Sequence, residues 1–170
     1  GIPLVCLHTA GTDSREWRHQ LCDAAINKNF RVIAFDLPRH GKSIPPYDWY
    51  KEDEEYKLTA KFYAGILMSF CRELGLDKPV VLGSSMGGNI CMHLAEKYES
   101  EFKALIAIEA CEYSPGWHID WLRHSHIHGG ETCATSVFGL MAPQSPDKYR
   151  WETWWYYAQG GPGVFKGDLY

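Results

Sequence analysis

The chain has 170 residues, long enough for one domain with a substantial core. Its hydrophobic content of 45% and charged content of 22% are typical of a globular protein, and its net charge of −4 leaves no basic face for nucleic acid. No apolar run approaches the ~20 residues that span a bilayer, so no membrane-spanning segment is expected.

The six cysteines are far apart in the sequence, and none forms a C-x-x-C pair. Isolated cysteines within strands and helices behave as small hydrophobic residues, which favours a reduced, cytoplasmic protein. No secretory signal is visible at the N terminus. The opening Gly-Ile-Pro, without a methionine, leaves open a true start further upstream.

Two buried strands are predicted in the first part of the chain. The continuous apolar runs at residues 3–7 and 30–35 are typical of parallel strands that are covered on both faces. Polar loops follow them, at residues 8–13 and 36–43. Between the strands, Asp13 and Glu16 resemble a capping box and predict the start of a helix.

A long amphipathic helix is predicted next. From Leu58 to Leu74, an apolar residue recurs at every fourth position, and Gly75 is placed to end the helix. The acidic run at 52–55 precedes it. We interpret that run as a solvated loop rather than a metal site.

Residues 79–90 predict a buried strand, an abrupt turn and a helix, with G-x-S-x-G centred on Ser85 at the turn. Gly83 and Gly87 are small enough to let the chain segments pass closely. The bend would lift the serine hydroxyl out of the sheet and leave the Met86 amide as a free donor at a helix N-terminus. The pattern predicts a nucleophile elbow. A purely structural glycine-rich turn is the alternative, since G-x-S-x-G alone is a weak signal.

A fourth strand is predicted at residues 102–108. Buried strands that alternate with helices indicate a doubly wound, mainly parallel α/β sheet with right-handed crossovers. In such sheets the site lies beyond the carboxyl ends of the strands. The loops at residues 8–13, 36–43 and 83–88 should therefore meet there.

The composition changes after residue 110, where five of the seven tryptophans fall between residues 113 and 157. Two interpretations stay open: an aromatic packing layer, or a helical lid that excludes water from the site. The predicted organisation is a core at 1–110, a lid at 111–160 and a return toward the core at 161–170. His124, His126 and His128 could converge on zinc, but polar packing is the favoured interpretation, and no metal or cofactor is expected.

Three segments together resemble the α/β-hydrolase superfamily, in its branch of lid-containing esterases, lipases and carbon–carbon bond hydrolases. They occur in the family's order: residues 7–11 with Trp17-Arg18, residues 36–43, and residues 83–88. The resemblance implies Ser85 as nucleophile and the backbone amides of Ala10 and Met86 as oxyanion hole. Thr9 and Arg39 stand where the family usually has glycine, which suggests a specialised subfamily.

The same resemblance implies strands before Gly1, and two strands after Gly167 that carry the catalytic acid and the general-base histidine. The chain is therefore expected to be the middle of a hydrolase. Glu109 ends the fourth strand, where some relatives place the acid, and is a tentative candidate; a glutamate tied into lid packing is the favoured alternative. The sequence offers no convincing base, because the family gives structural roles to the loops that hold His8 and His40.

The leading hypothesis is a serine hydrolase that acts on an ester, or on a carbon–carbon bond next to a ketone, in a small apolar substrate. The alternative is a hydrolase-fold receptor or pseudoenzyme that binds a small ligand. A small apolar molecule is the only partner expected, and the sequence leaves the oligomeric state open.

Overall fold

The computed structural model describes residues 1–43, 47, 56–113, 129–161 and 163–170. The strands are β1 (Ile2–Leu7), β2 (Phe30–Ala34), β3 (Val80–Ser84) and β4 (Ala104–Ile108). The helices are α1 (Arg18–Cys22), α2 (Ala24–Asn27), α3 (Ala60–Glu73), α4 (Met86–Lys97), α5 (Gly129–Leu140), α6 (Asp147–Ala158) and α7 (Val164–Asp168). Short 3-10 helices cover Ser14–Trp17 and Glu99–Glu101.

The four strands form one parallel sheet in the order β2-β1-β3-β4. The predicted fold class, an α/β protein with a doubly wound parallel sheet, is confirmed. Within the sheet, Val5 lies opposite both Ile33 and Val81, and Ser84 lies opposite Ile108. Because the strands are parallel, their carboxyl ends reach the same edge of the sheet.

The core lies on both faces of β1 and β3, because successive side chains of a strand point to opposite faces. Val5, Leu7 and Val81 pack with α3 and α4 on one face. Leu4 and Cys6 pack with Val80 and Trp17 on the other face. Burial on both faces explains why these strands are continuous apolar runs rather than alternating ones.

Helix α3 forms as predicted, and Ile66 and Phe70 of the predicted row pack against the core, but the most deeply buried side chains lie in the adjacent row. The buried side chains are Tyr63, Ala64, Leu67 and Cys71, whereas Phe62 and Leu74 are each 46% exposed. Two adjacent rows of this helix are apolar, and only packing on the sheet selects between them. Gly75 ends the helix with φ +60°, as expected for a C-terminal glycine.

The predicted capping box does not form. Asp13 caps only the 3-10 turn, by accepting the Arg15 N–H at 2.9 Å. The Glu16 carboxylate accepts the N–H of Thr9 instead of returning to Asp13. Asp23 then separates α1 from α2 and caps the second of them, so the expected helix is two short ones.

The segment after β4 packs against the beginning of the chain. Arg18 pairs with Glu152 of α6 at 2.5 Å, and the Arg15 guanidinium lies 4.4 Å from the centre of the Tyr156 ring. Helices α5 and α6 pack on each other. The division into core, lid and return segment stays a prediction. Among the described residues, no helix has the length and apolarity required for a membrane crossing.

Candidate active site

Ser85 lies between β3 and α4, at the predicted strand-to-helix turn. Its backbone angles are φ 51° and ψ −111°, an uncommon conformation for a residue with a side chain. The Ser85 N–H donates to the Ile108 carbonyl at 2.8 Å, so the turn is anchored to β4. Strained backbone that the surrounding structure enforces is typical of functional sites.

The glycines of the motif are required by close approach of backbone segments. A Cβ atom at Gly83 would lie 1.9 Å from the Gly87 carbonyl oxygen, and one at Gly87 would lie 2.6 Å from the Leu7 carbonyl oxygen. Both distances are far below van der Waals contact. The sequence around Ser85 therefore permits a bend that larger residues would prevent.

Ser85 shares one cavity with Ala10 and Met86, the residues predicted to supply the oxyanion hole. The cavity has a volume of about 560 Å³. Met86 is the first residue of α4, and the first amides of a helix have no acceptor within it. Other residues of the wall include Leu58, Tyr63, Asn89, Ile90, His93, Glu96, Glu112, Asp168 and Tyr170. The wall is thus partly apolar and partly polar.

The amides around Ala10 differ in their partners. The Thr9 N–H donates to Glu16 Oε2 at 2.7 Å, and the Gly11 N–H donates to Asp168 Oδ2 at 2.8 Å. The Ala10 N–H has no hydrogen-bond acceptor among the described residues. Its assignment to the oxyanion hole stays a prediction.

Asp168 is the centre of a buried polar network. Besides Gly11, its carboxylate binds His40 Nε2 at 2.8 Å and the Tyr56 hydroxyl at 3.3 Å. The His40 and Asp168 side chains are 1% and 0% exposed. Burial lowers the pKa of His40, but the charge and hydrogen bond of Asp168 outweigh it, so the pKa lies above its usual value.

The pKa of His8 is shifted in the opposite direction to that of His40. The Nε2 atom of His8 accepts the Leu37 N–H at 3.2 Å, so Nδ1 is the protonated nitrogen and donates to the Thr9 carbonyl at 2.8 Å. Burial and the neighbouring His40 lower the pKa of His8 to about 4. The ring is therefore neutral at physiological pH.

Glu109, the tentative acid, follows β4 with φ 52°. Its side chain is exposed, and no described residue hydrogen-bonds its carboxylate. The assignment of Glu109 as acid stays a prediction.

No histidine among the described residues hydrogen-bonds Ser85. His8 and His40 are buried and bound elsewhere, and His19 packs on Tyr149. His93 lines the cavity, but it lies eight residues after Ser85 along α4. That separation is about 12 Å at 1.5 Å per residue, too far for proton transfer.

The aromatic side chains of the predicted lid are not in the cavity wall where the structure describes them. Trp151 packs against Phe138, and Trp151 and Trp155 are 58% and 53% exposed. Trp117 and Trp121 lie outside the described residues, as do His124, His126 and His128. The lid therefore stays a prediction. Groups that could hold a metal ion do not occur in the described part of the chain.

Sequence reasoning missed Glu16 and Asp168. The local pattern predicts Glu16 to be part of a helix cap, and Asp168 falls in the short segment for which the sequence predicts only a return toward the core. Asp168 lies 157 positions from the amide it accepts. No local pattern indicates a contact between residues so distant, whereas an unpaired Asp near a helix end is unremarkable in sequence.

The fold and the strained serine together define an α/β-hydrolase-type core. A family model described as "alpha/beta hydrolase fold" matches residues 2–127. The chain belongs to this family.

Curated relatives and solved structures agree with that assignment. The chain is 31% identical to bifunctional epoxide hydrolase 2 of Sus scrofa over 62% of its length, and 36% identical to a 1-acylglycerol-3-phosphate O-acyltransferase of Sus scrofa over 64%. These matches cover 18% and 29% of the relatives themselves.

Two solved structures show the same fold over 99% of the chain. The enol-lactonase from Burkholderia xenovorans has a TM-score of 0.83 at 18% identity, and an esterase from Thermogutta terrifontis has 0.81 at 23%. The chain covers 64% and 62% of those two proteins. At such identities the likeness concerns the fold alone.

Proposed function

We propose that the protein is a serine hydrolase that cleaves an ester, or a carbon–carbon bond next to a ketone, in a small apolar substrate. The observation that supports it most directly is Ser85, which has strained backbone angles and shares a cavity with Ala10 and Met86, the residues proposed to supply the oxyanion hole. A pure binding protein has no need of such strain. The ester branch is compatible with the names of two solved structures that share the fold, an esterase and an enol-lactonase.

In this reaction the Ser85 Oγ attacks the substrate carbonyl carbon while a general base takes the hydroxyl proton. The carbonyl π electrons move to the oxygen, and the N–H groups of Ala10 and Met86 donate to that oxyanion. Fixed donors of this kind need no rearrangement during the reaction, and removal of one typically costs ~10²–10³ in rate.

The leaving group then departs with a proton from the base, and water hydrolyses the acyl-enzyme by the reverse sequence. We expect the base to be a histidine outside the described residues, because the described ones are bound elsewhere or too distant. Glu109 is the proposed carboxylate partner of that histidine, from its place at the end of β4.

The substitution Ser85→Ala in the full-length protein tests the proposal. It should reduce turnover of p-nitrophenyl esters by at least ~10⁴-fold and leave ligand affinity nearly unchanged, because only the nucleophilic oxygen is removed. A fluorophosphonate probe should label the wild type and fail to label the variant.

Ser136→Ala is the matched control. Ser136 is an exposed serine on α5 whose hydroxyl only donates to the Thr132 carbonyl. That variant should keep wild-type turnover and labelling. Ester turnover that survives Ser85→Ala would refute the nucleophile. A wild type that binds small apolar ligands without turnover or labelling would favour the receptor alternative.

A further inference from the structure

Residues 9–11 form a loop whose middle residue, Ala10, lines the cavity, and we call them the donor loop. The three consecutive amides of this loop differ in their hydrogen-bond partners. The outer two donate to carboxylates, and the middle one, Ala10, has no acceptor among the described residues. A loop backbone that was held by neutral or solvent contacts could rotate this middle amide away from the site. The two carboxylates prevent such rotation at both ends.

Glu16 binds the loop on its N-terminal side. Its Oε2 accepts the Thr9 N–H at 2.7 Å and the Thr12 hydroxyl at 3.2 Å. Glu16 therefore binds both the first amide of the donor loop and the residue that directly follows the loop.

Asp168 binds the loop on its C-terminal side. The acceptor for Gly11, Oδ2, is also the acceptor for His40 Nε2, and both contacts measure 2.8 Å. Asp168 therefore cannot turn away from Gly11 without leaving the buried Nε2 of His40 without its acceptor. Hydrogen bonds to a charged acceptor are roughly twice as strong as neutral ones, which suits a group whose task is to fix a backbone.

We propose that Glu16 and Asp168 are positioning residues that hold the donor loop by its outer amides and so direct the Ala10 amide toward the oxygen of the bound substrate. The catalytic role given to Ala10 in this proposal rests on the proposed function. The claim that the two carboxylates hold the loop in place does not depend on that function. The reason for the arrangement is preorganisation: a donor stabilises an oxyanion fully only when it is already in place.

The decisive comparison is Glu16→Ala with Glu16→Gln in the full-length protein. Alanine removes the acceptor of the Thr9 N–H. Glutamine keeps the size and one amide oxygen, which can accept from both the Thr9 N–H and the Thr12 hydroxyl as Oε2 does. Asp23→Ala is the matched control, because Asp23 also accepts two backbone amides, at 2.8 and 2.9 Å, but caps α2 away from the cavity.

The first measurement is residue-resolved amide hydrogen exchange, which does not depend on turnover. In the wild type the Thr9 and Gly11 amides should exchange more slowly than Ala10. Glu16→Ala should speed exchange at Thr9 by about tenfold, the equivalent of one lost hydrogen bond to a charged group. Glu16→Gln and Asp23→Ala should leave Thr9 within about threefold of the wild type.

The second measurement is the kinetics of an activated ester. Glu16→Ala should lower kcat by ~10²-fold with KM within about threefold, because the oxyanion exists only beyond the ground state. Glu16→Gln should restore most of the rate. If Glu16→Ala fails to fold, Glu16→Asp provides the same test, since its shorter side chain withdraws the carboxylate from Thr9.

Three results would overturn the proposal: unchanged exchange at Thr9 in Glu16→Ala, unchanged kcat despite faster exchange, or a loss of kcat in Asp23→Ala as large as in Glu16→Ala. A wild type without turnover would refute the proposed function instead. The exchange measurement would then still decide whether Glu16 holds the loop.

Discussion

The two sides of the cavity are built by different means. The elbow at 83–88 is shaped by steric contacts of its glycines, of which the closest joins Gly83 to Gly87 within the elbow itself. The donor loop at 9–11 is shaped by hydrogen bonds to carboxylates, one of them 157 positions away. The elbow is therefore determined mainly by local sequence, whereas the loop depends on completion of the fold.

Asp168→Ala should disrupt the long-range hydrogen bonds of the donor loop and should have the largest effect on stability. It removes the acceptor of the Gly11 N–H and leaves the buried His40 without the carboxylate that pairs with its Nε2. Disruption of a buried ion pair typically costs about 3–5 kcal/mol, because the remaining group loses both water and partner. Urea denaturation measures the change in the free energy of unfolding.

Two variants serve as controls for Asp168→Ala. Asp168→Asn keeps the shape and an acceptor oxygen, so it should cost only about 1–2 kcal/mol. Asp147→Ala removes an exposed carboxylate that pairs with Arg150 at 3.4 Å, and should change stability by less than about 0.5 kcal/mol. Equal effects of the three variants would show that the buried network does not hold the loop.

Gly83→Ala should disrupt the elbow, whose closest steric contact is local in the sequence. The new methyl group would lie 1.9 Å from the Gly87 carbonyl oxygen, so the elbow backbone must shift. We expect a loss of about 3 kcal/mol in stability, at the upper end for overpacking, and a loss of fluorophosphonate labelling. Thermal unfolding and labelling of the same preparation measure the two effects.

Gly65→Ala is the matched control for Gly83→Ala, since a Cβ atom at Gly65 in α3 has no heavy atom within 4 Å. That substitution should stabilise the protein by about 0.5–1 kcal/mol, because alanine favours the helix interior. If Gly83→Ala were equally harmless, the close approach in the elbow would not be required.

The free energy of unfolding, measured across a pH series, tests the two buried histidines, and the expected effect is smaller. Burial and the charge of His40 lower the pKa of His8 to about 4, below its unfolded value of about 6.5. The folded state therefore binds fewer protons at this site, and stability falls as the pH drops below about 6.5. The site alone should cost about 2 kcal/mol between pH 7 and pH 5.

His40 acts with the opposite sign. Despite burial, Asp168 raises the pKa of His40, so its stabilising contribution is complete below the unfolded pKa of about 6.5 and is lost as the pH rises through the folded value. Imidazole ¹⁵N shifts should show His40 charged at pH 6.5, where His8 is neutral. The same protonation state on both rings at that pH would contradict the network described for Asp168.

Local sequence was sufficient to predict the sheet and the elbow. Continuous apolar runs identify strands that are buried on both faces, and small residues around Ser85 allow a bend that few sequences permit. It was not sufficient for α3, where two adjacent apolar rows fit the same helical period and only the sheet selects the buried one. Nor did it predict Glu16, whose capping pattern suggested a different partner.

The sequence by itself therefore determined the order of the four strands, the helices α3 and α4, and the position of Ser85 at a tight turn. Hydrophobic periodicity and side-chain size act between residues that are close in the chain, so these features can be predicted locally. Only the tertiary structure decided that Glu16 and Asp168 bind the amides on either side of Ala10, and that His40 is paired while His8 is neutral. Such contacts join segments that meet only after the sheet has formed. A hydrogen bond between residues that are distant in the sequence produces no periodic pattern from which it could be predicted.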